Sequence, residues 1–223
     1  MSILSGVSDF FGLDIGSNAI RVVELKGAGP SKSLSKYGYV EIDPKLSVSE
    51  SKVDQQRLMQ VIKELLNQTK ITTKNVAVGL PSSKVFTTVV EMDNLSPSEI
   101  GKSIVFQADS LIPTPVSESK MDWALLGESP ADKTKLEVLL SSVPNDFVEK
   151  RLDALESIGL NVIAFEPDTL ALTRALNAPN NLAPTMILDI GSKTTDIIIT
   201  LNGTPRLTRS IPTGADAIVR SAM

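Results

Sequence analysis

The same five residues, LDIGS, occur twice in this chain, at positions 13–17 and 188–192. Each copy follows a short apolar run and precedes another, at 20–25 after the first copy and at 197–201 after the second. Asp, Gly and Ser are common turn formers, so one copy alone predicts only a turn. Two copies in the same context predict a strand, a tight turn and a second strand, built twice on one plan.

The repeated turn suits an anion. A glycine turn between two strands presents consecutive backbone N–H groups, and two such turns facing each other would hold a polyphosphate. Asp14 and Asp189, near the end of each first strand, could bind the Mg²⁺ that neutralises the phosphates, directly or through water. The P-loop pattern G-x-x-x-x-G-K-[ST] is absent.

Composition excludes several other chemistries. The chain has no Cys and no His, which removes thiolate and imidazole zinc sites and the usual His-activated nucleophiles. A metal would therefore be a hard, oxygen-bound ion such as Mg²⁺. The net charge of −4 and the lack of a basic run argue against a nucleic-acid partner. No apolar stretch approaches the ~20 residues that span a bilayer, so no direct membrane span is expected.

A compact unit interrupts the first domain. The pattern predicts a strand at 85–92, a helix capped by Ser96 that ends near Leu111, and two strands at 121–126 and 136–143. After this unit, we expect Asn145 to cap a helix and Pro167 to open another. The unit looks like an insertion of the order strand, helix, strand, strand.

We therefore predict four segments. Residues 1–81 form the first part of the first domain, 82–144 the insert, 145–181 the second part, and 182–223 the start of a second domain. The Pro- and Asn-rich run 177–184 marks the last boundary. Because about 40 residues rarely make an independent core, we expect the second domain to be incomplete and the chain to be truncated at its C-terminus.

Three stretches together resemble the actin-like ATPases. FGLDIGSNAIRVVEL (11–25) resembles their first phosphate loop, ILDIGSKTTDIII (187–199) their second, and FEPDTLAL (165–172) the connecting segment between them. The resemblance implies a mixed α/β, actin-like (ribonuclease H-like) fold that binds ATP and Mg²⁺.

The resemblance also implies site residues. Those for the cofactor are Asp14, Gly16, Ser17, Asn18, Arg21, Asp189, Gly191, Ser192, Lys193, Thr194 and Gly214, with Asp14 and Asp189 also holding Mg²⁺. Glu166 is the implied catalytic residue, which would orient the attacking water in what is at most a slow ATPase. Lys193 departs from the pattern, because many relatives have a small residue there. The family's adenosine-binding residues would lie beyond Met223.

The insert narrows the resemblance to the FtsA/PilM branch, whose SHS2-like insert it resembles. Residues 110–127 and 141–160 are more similar to the PilM family of type IV pilus assembly proteins. This resemblance implies a cytoplasmic ATP-binding adaptor of pilus or related type II secretion assembly. It would dock at the inner membrane through the N-terminal tail of a PilN-like protein, with other platform proteins or self-association as further contacts.

We expect the insert to form one wall of the peptide groove, with strand 85–92 offering main-chain hydrogen bonds. Two alternatives stay open at this point. One is an FtsA-like cell-division protein, which a C-terminal amphipathic helix would identify. The other is a sugar or metabolite kinase of the same superfamily, which needs a substrate acid and does not need the insert.

Overall fold

The computed structural model describes residues 9–27, 31–176 and 183–223. The strands are β1 (Phe11–Ile15), β2 (Ala19–Lys26), β3 (Ser33–Glu41), β4 (Asn75–Leu80), β5 (Phe86–Asp93), β6 (Ser119–Glu128), β7 (Lys135–Pro144), β8 (Asn161–Pro167), β9 (Thr185–Ile190), β10 (Thr195–Leu201) and β11 (Thr204–Ile211). The helices are α1 (Pro44–Val48), α2 (Lys52–Thr69), α3 (Pro97–Leu111), α4 (Asn145–Ser157), α5 (Asp168–Leu176) and α6 (Ala215–Ser221). The boundary predicted at 177–184 falls mostly on 177–182, outside the described residues.

The first unit, here called the body, is a five-stranded sheet of order β3-β2-β1-β4-β8 with α1, α2 and α4. β1, β2 and β3 pair antiparallel, while β4 and β8 run parallel to β1. The apolar stripe of α2 and Leu155 of α4 pack on this sheet. The core includes Phe11, Leu13, Ile20, Val22, Leu58, Ile62, Val76, Val78 and Leu155.

The insert is a three-stranded antiparallel sheet of order β5-β7-β6 with α3 packed on it. As the sequence predicts, Ser96 begins α3 in a capping box, and Glu99 accepts a hydrogen bond of 2.9 Å from the Ser96 backbone N–H. Its core includes Val90, Met92, Ile100, Ile104, Ala108, Val138 and Leu140. The strand, helix, strand, strand order of the insert is confirmed.

The C-terminal unit is a three-stranded antiparallel sheet of order β11-β10-β9, followed by α6. β10 and β11 are joined through Asn202 and Gly203, whose positive φ angles of 54° and 71° are typical of the predicted tight hairpin turn. Helix α5 links the body to this unit, because it contacts β4 and β8 on one side and β10 and β11 on the other.

Three local features differ from the sequence prediction. α1 was not predicted; Asp43 caps it by accepting a hydrogen bond from the Lys45 backbone N–H. Asn145 is not a cap, because the extended Pro144 at the end of β7 already occupies that position. Pro167 does not open a helix, because it is the last residue of β8 and pairs with Leu80.

No helix among the described residues is both long and apolar enough to cross a bilayer.

Candidate functional site

The two LDIGS turns have the same internal geometry. In the first, the Gly16 N–H donates to the Ala19 carbonyl at 2.9 Å; in the second, the Gly191 N–H donates to the Thr194 carbonyl at 2.9 Å. Each turn therefore closes on itself in the same way. A consequence is that the amides of Gly16 and Gly191, expected on phosphate, are already engaged.

The turns also face each other. The Ser17 and Ser192 hydroxyl oxygens lie 2.7 Å apart and form a hydrogen bond between the body and the C-terminal unit. Both turns line one cavity of about 1810 Å³, here called the cleft. The backbone N–H groups of Ser17, Asn18, Ser192 and Lys193 make no hydrogen bond among the described residues, so they are the remaining amide donors at this place.

The first turn is fixed from the α1 side. The Ile42 N–H donates to the Asn18 carbonyl at 2.9 Å, and the Ser47 hydroxyl donates to the Ser17 carbonyl at 3.2 Å. These bonds use the carbonyls of the turn and leave its amides available.

The second turn is fixed by the start of α6. The N–H groups of Ala215 and Asp216 donate to the carbonyls of Gly191 and Ser192 at 2.8 and 3.1 Å. A Cβ on Gly214 would lie 2.4 Å from the Gly191 carbonyl oxygen, so only glycine permits this close approach. Gly214 therefore supports the turn from behind.

Two cations lie beside the turns. Arg21 donates to Asp14 at 2.8 Å, and its guanidinium lies 5.6 Å from the centre of the Tyr39 ring. Lys193 forms an ion pair of 2.8 Å with Asp216. Its ammonium group is thus held toward α6, although the residue also lines the cleft.

Two acids of the cleft, Asp168 and Asp196, were not predicted from the sequence. Asp168 is the first residue of α5, and a Cβ on Gly79 of β4 would lie 2.3 Å from its Oδ1. The missed signal is positional, because an acid directly after a parallel strand lies at the edge where such sheets bind ligands.

The acids of the cleft repel one another. Burial raises the pKa of Asp168 to about 8, and nearby negative charges add to this rise. Those charges are on Asp14, Asp196, Asp189 and Glu166. Desolvation, followed by the charges of Asp196 and Asp14, also raises the pKa of Asp189. A cation placed among these carboxylates would relieve their repulsion.

The donor set fits a magnesium ion held largely through water. Among the described residues, no three acidic side chains are close enough together to form a ready metal site. However, Asp196 Oδ1 is buried and lacks a hydrogen-bond partner, and the cleft acids offer the hard oxygen atoms that Mg²⁺ prefers.

Glu166, the sequence-predicted catalytic residue, does not line the cleft. It forms a two-pronged ion pair with Arg174, in which Arg174 Nη1 lies 3.1 Å from Glu166 Oε2. Asp168, two residues later, does line the cleft.

A second, apolar cavity of about 270 Å³ lies between the insert and the body. Its lining from the insert side includes residues 120–124 of β6, Leu139 and Val143, and from the body side Leu80, Val148, Phe165 and Leu170. Neighbouring side chains of a strand point to opposite faces, so five consecutive lining residues indicate that β6 borders the cavity with its edge. In the insert sheet, β6 is an edge strand.

The fold and the paired turns define the class of protein. A sheet of three antiparallel and two parallel strands, joined through a helix to a second sheet that repeats the turn, is the actin-like ATPase fold. The fold class predicted from the sequence is confirmed.

Comparison with known families identifies the group within this class. The family model described as type IV pilus assembly protein PilM matches residues 12–221, and the chain belongs to this family. Of the three families that the sequence left open, this match selects the PilM family over FtsA and the kinases.

Solved structures agree on the fold. A structure of a PilM-PilN type IV pilus biogenesis complex matches with a TM-score of 0.80 at 24% identity, over 95% of this chain and 65% of that chain. The present chain thus spans just under two thirds of that protein's length. The cytoplasmic domain of EpsL, an inner membrane component of the type II secretion system of Vibrio cholerae, matches with a TM-score of 0.55 at 13% identity, over 92% of this chain and 71% of that one.

Proposed function

We propose that this protein is a nucleotide-binding adaptor of type IV pilus assembly. It acts in the cytoplasm and is brought to the inner membrane by a PilN-like protein. The proposal of nucleotide binding rests on the hydrogen bond between Ser17 and Ser192, because two turns of the anion-binding type meet there in one cleft. The proposal of a role in pilus assembly rests on family membership.

The phosphates of ATP would lie between the turns. The amide N–H groups of Ser17, Asn18, Ser192 and Lys193 are the donors that can bind phosphate oxygens. Gly16, Gly191 and Gly214 would shape the turns instead of binding directly, and the Thr194 carbonyl helps to close the second turn. Phosphate would compete with the carboxylates that now pair with Arg21 and Lys193, so both cations can turn to the ligand.

Asp14 and Asp189 would hold Mg²⁺ through water, with Asp196 beside them. The ion supplies positive charge that offsets the phosphates and fixes their orientation. The carboxylates of Asp14, Asp189 and Asp196 would keep this cation near the two turns through their combined negative charge.

Asp168 is a better candidate than Glu166 for orienting an attacking water, because it lines the cleft and Glu166 pairs with Arg174. With a pKa of about 8, Asp168 is mostly protonated near neutral pH, so only a small fraction of it is available as a base there. Slow hydrolysis follows, which suits an adaptor that must hold one state.

Calorimetric titration of Mg²⁺–ATP tests the nucleotide site. We expect Asp14→Ala and Asp189→Ala each to weaken ATP binding by at least about tenfold, the loss typical of a charged contact. Asp109→Ala, which changes an exposed acid of α3, is the matched control and should leave affinity unchanged. Unaltered affinity in both cleft variants would exclude this site.

For docking, we propose that the apolar cavity between insert and body receives the N-terminal tail of the PilN-like protein. The sequence expectation assigned main-chain pairing to the first insert strand, but β5 contacts β11 of the C-terminal unit. The β6 edge is the better candidate, because it borders the cavity directly. An extended apolar peptide could pair with β6 and place alternate side chains in the cavity.

Fluorescence anisotropy with a labelled N-terminal peptide of a PilN-like protein tests this docking. Ala124 is exposed and lines the cavity, so Ala124→Arg should abolish binding with little cost to folding. Leu125→Arg is the matched control, because Leu125 is 48% exposed and does not line the cavity. Equal binding by both variants would place the peptide elsewhere.

A further inference from the structure

Arg151 of α4 is a half-buried cation without an anion. Its Nη1 atom is buried and has no hydrogen-bond partner, and the side chain forms no ion pair among the described residues. Burial lowers the pKa of its guanidinium. Arg151 lines the α4 end of the cleft, on an element that carries neither LDIGS turn.

The surroundings of Arg151 are built around one aromatic ring. The Arg151 guanidinium lies 5.7 Å from the centre of the Phe147 ring, and the Lys84 ammonium lies 5.9 Å from the same centre. Lys84 also forms no ion pair within the described part of the chain. Lys150, by contrast, pairs with Glu50 at 2.8 Å and Asp146 at 3.4 Å. Arg151 and Lys84 therefore lack the acidic partners that Lys150 has.

This arrangement costs stability. Burying a charge without a hydrogen-bonded partner is unfavourable, and the contact with an aromatic ring offsets only part of that cost. An uncompensated buried charge that faces a cavity is typical of a site where a ligand supplies the missing partner. The missing partner of Arg151 is an anion.

The neighbouring groups favour a carboxylate. Glu50, Asp146 and Asp153 line the same end of the cleft, and their charges oppose a doubly charged phosphate more than a singly charged group. The planar guanidinium matches the two oxygens of a carboxylate. Apolar side chains also line the cleft, among them Val48, Met59, Pro144 and Ile158.

We propose that Arg151, with Lys84 and Phe147, forms a carboxylate-binding site for an acidic residue of a partner protein, next to an apolar contact. The site is separate from the β6 edge and from the two turns. It would therefore be a second docking point, at the α4 end of the cleft.

Three probes with the same ring test the chemistry: benzoate, phenylphosphate and the neutral benzamide. The readout is the backbone amide NMR signal of Phe147, which wild type and variants share, together with the Arg151 side-chain Nε–H signal, which is assigned by its loss in Arg151→Gln. We expect saturable binding of benzoate at millimolar concentration and no saturable shift with benzamide. Arg151→Gln should weaken benzoate binding by at least about tenfold, as expected for a lost charged hydrogen bond. Arg57→Gln, which changes an exposed arginine of α2, should leave benzoate binding unchanged.

A second measurement separates binding from a structural role. Without ligand, Arg151→Met should unfold at a higher urea concentration than the wild type, because it removes an unpaired buried charge. A less stable Arg151→Met protein would show that the guanidinium has a partner within the fold and would overturn the proposal. So would the absence of any benzoate-induced shift. Tighter binding of phenylphosphate than of benzoate would overturn the assignment to carboxylate.

Discussion

Ser17 and Ser192, the fifth residues of the two LDIGS repeats, contact each other through their hydroxyl groups at 2.7 Å although 175 positions separate them. The repeat in sequence therefore becomes a local pairing of equivalent residues in space. Each turn is fixed from outside through its carbonyls, by Ile42 and Ser47 on one side and by α6 on the other. Among the described residues, the amides of Ser17, Asn18, Ser192 and Lys193 have no hydrogen-bond partner.

Gly214 is required for the second turn. In Gly214→Ala, the new Cβ would lie 2.4 Å from the Gly191 carbonyl oxygen and 2.6 Å from the Ser192 carbonyl oxygen, so the turn or α6 must shift. We expect a loss of about 1–3 kcal/mol in the free energy of unfolding, as for other overpacked sites. Urea unfolding measures this loss, and amide NMR should show shifted signals for residues 191–194.

Gly12→Ala is the matched control for Gly214. Its new Cβ would meet nothing closer than the Val23 carbonyl oxygen at 3.9 Å, which is an ordinary contact. If both variants lose the same stability, close packing at Gly214 is not the cause.

Asp168 should make stability fall as pH rises. Its pKa is raised to about 8 in the folded protein from an ordinary value of 3.8, so the unfolded chain releases this proton at lower pH than the folded protein. The contribution of Asp168 to stability is fully present below the ordinary value and is lost as pH rises toward 8. Asp168→Asn removes this loss.

Urea unfolding of wild type and Asp168→Asn at about pH 4.5 and about pH 8.5 measures the effect. We expect the variant to gain about 1–3 kcal/mol relative to wild type between the two pH values, less than the full shift because the site is partly solvated. Asp109→Asn, an exposed acid of α3, is the control. An equal difference at both pH values would contradict a raised pKa at Asp168.

Local pattern predicted the scaffold of the site well. The turns, the insert order and the Asn202–Gly203 hairpin depend on spacing and turn chemistry within a few residues, and these were correct. The choice between Glu166 and Asp168 depends on where β8 ends. Because Pro167 still belongs to the strand, Asp168 begins the helix in the cleft and Glu166 pairs with Arg174. The predicted helix start at Pro167 is one residue too early, so the local pattern did not single out Asp168, and the catalytic role of Glu166 stays a prediction.

Contacts between distant segments could not be predicted from the sequence. Nothing near Arg151 indicates that its guanidinium lacks an acid, since that depends on α4, Lys84 and the cleft together. Nor does local pattern show that the Gly16 and Gly191 amides are used within their own turns.

Hydrolysis distinguishes the two connecting-segment acids. If the protein cleaves ATP, single-turnover cleavage by Asp168→Asn should be at least about tenfold slower than wild type, the contribution of a positioned acid or base. Glu166→Gln should change the rate much less, because its carboxylate pairs with Arg174 outside the cleft. ATP binding is measured in parallel to show that both variants have bound ATP. A slow Glu166→Gln and a normal Asp168→Asn would restore the role that the sequence assigned to Glu166.

Arg206 of β11 and Glu137 of β7 form an ion pair that joins the C-terminal unit to the insert. The side chains are only 21% and 12% exposed, so removing one partner leaves the other charge poorly solvated. We expect Glu137→Gln and Arg206→Met each to destabilise the protein by about 2 kcal/mol or more, and the double variant to lose less than the sum. The exposed pair Lys120 and Glu149, at 3.2 Å between β6 and α4, is the control and should couple by less than about 1 kcal/mol. Because Arg206 shares its sheet with the second turn, a strong coupling energy would identify this ion pair as a stabilising connection between that sheet and the insert. Simple additivity of the two single changes would mean that the ion pair itself contributes nothing to this connection.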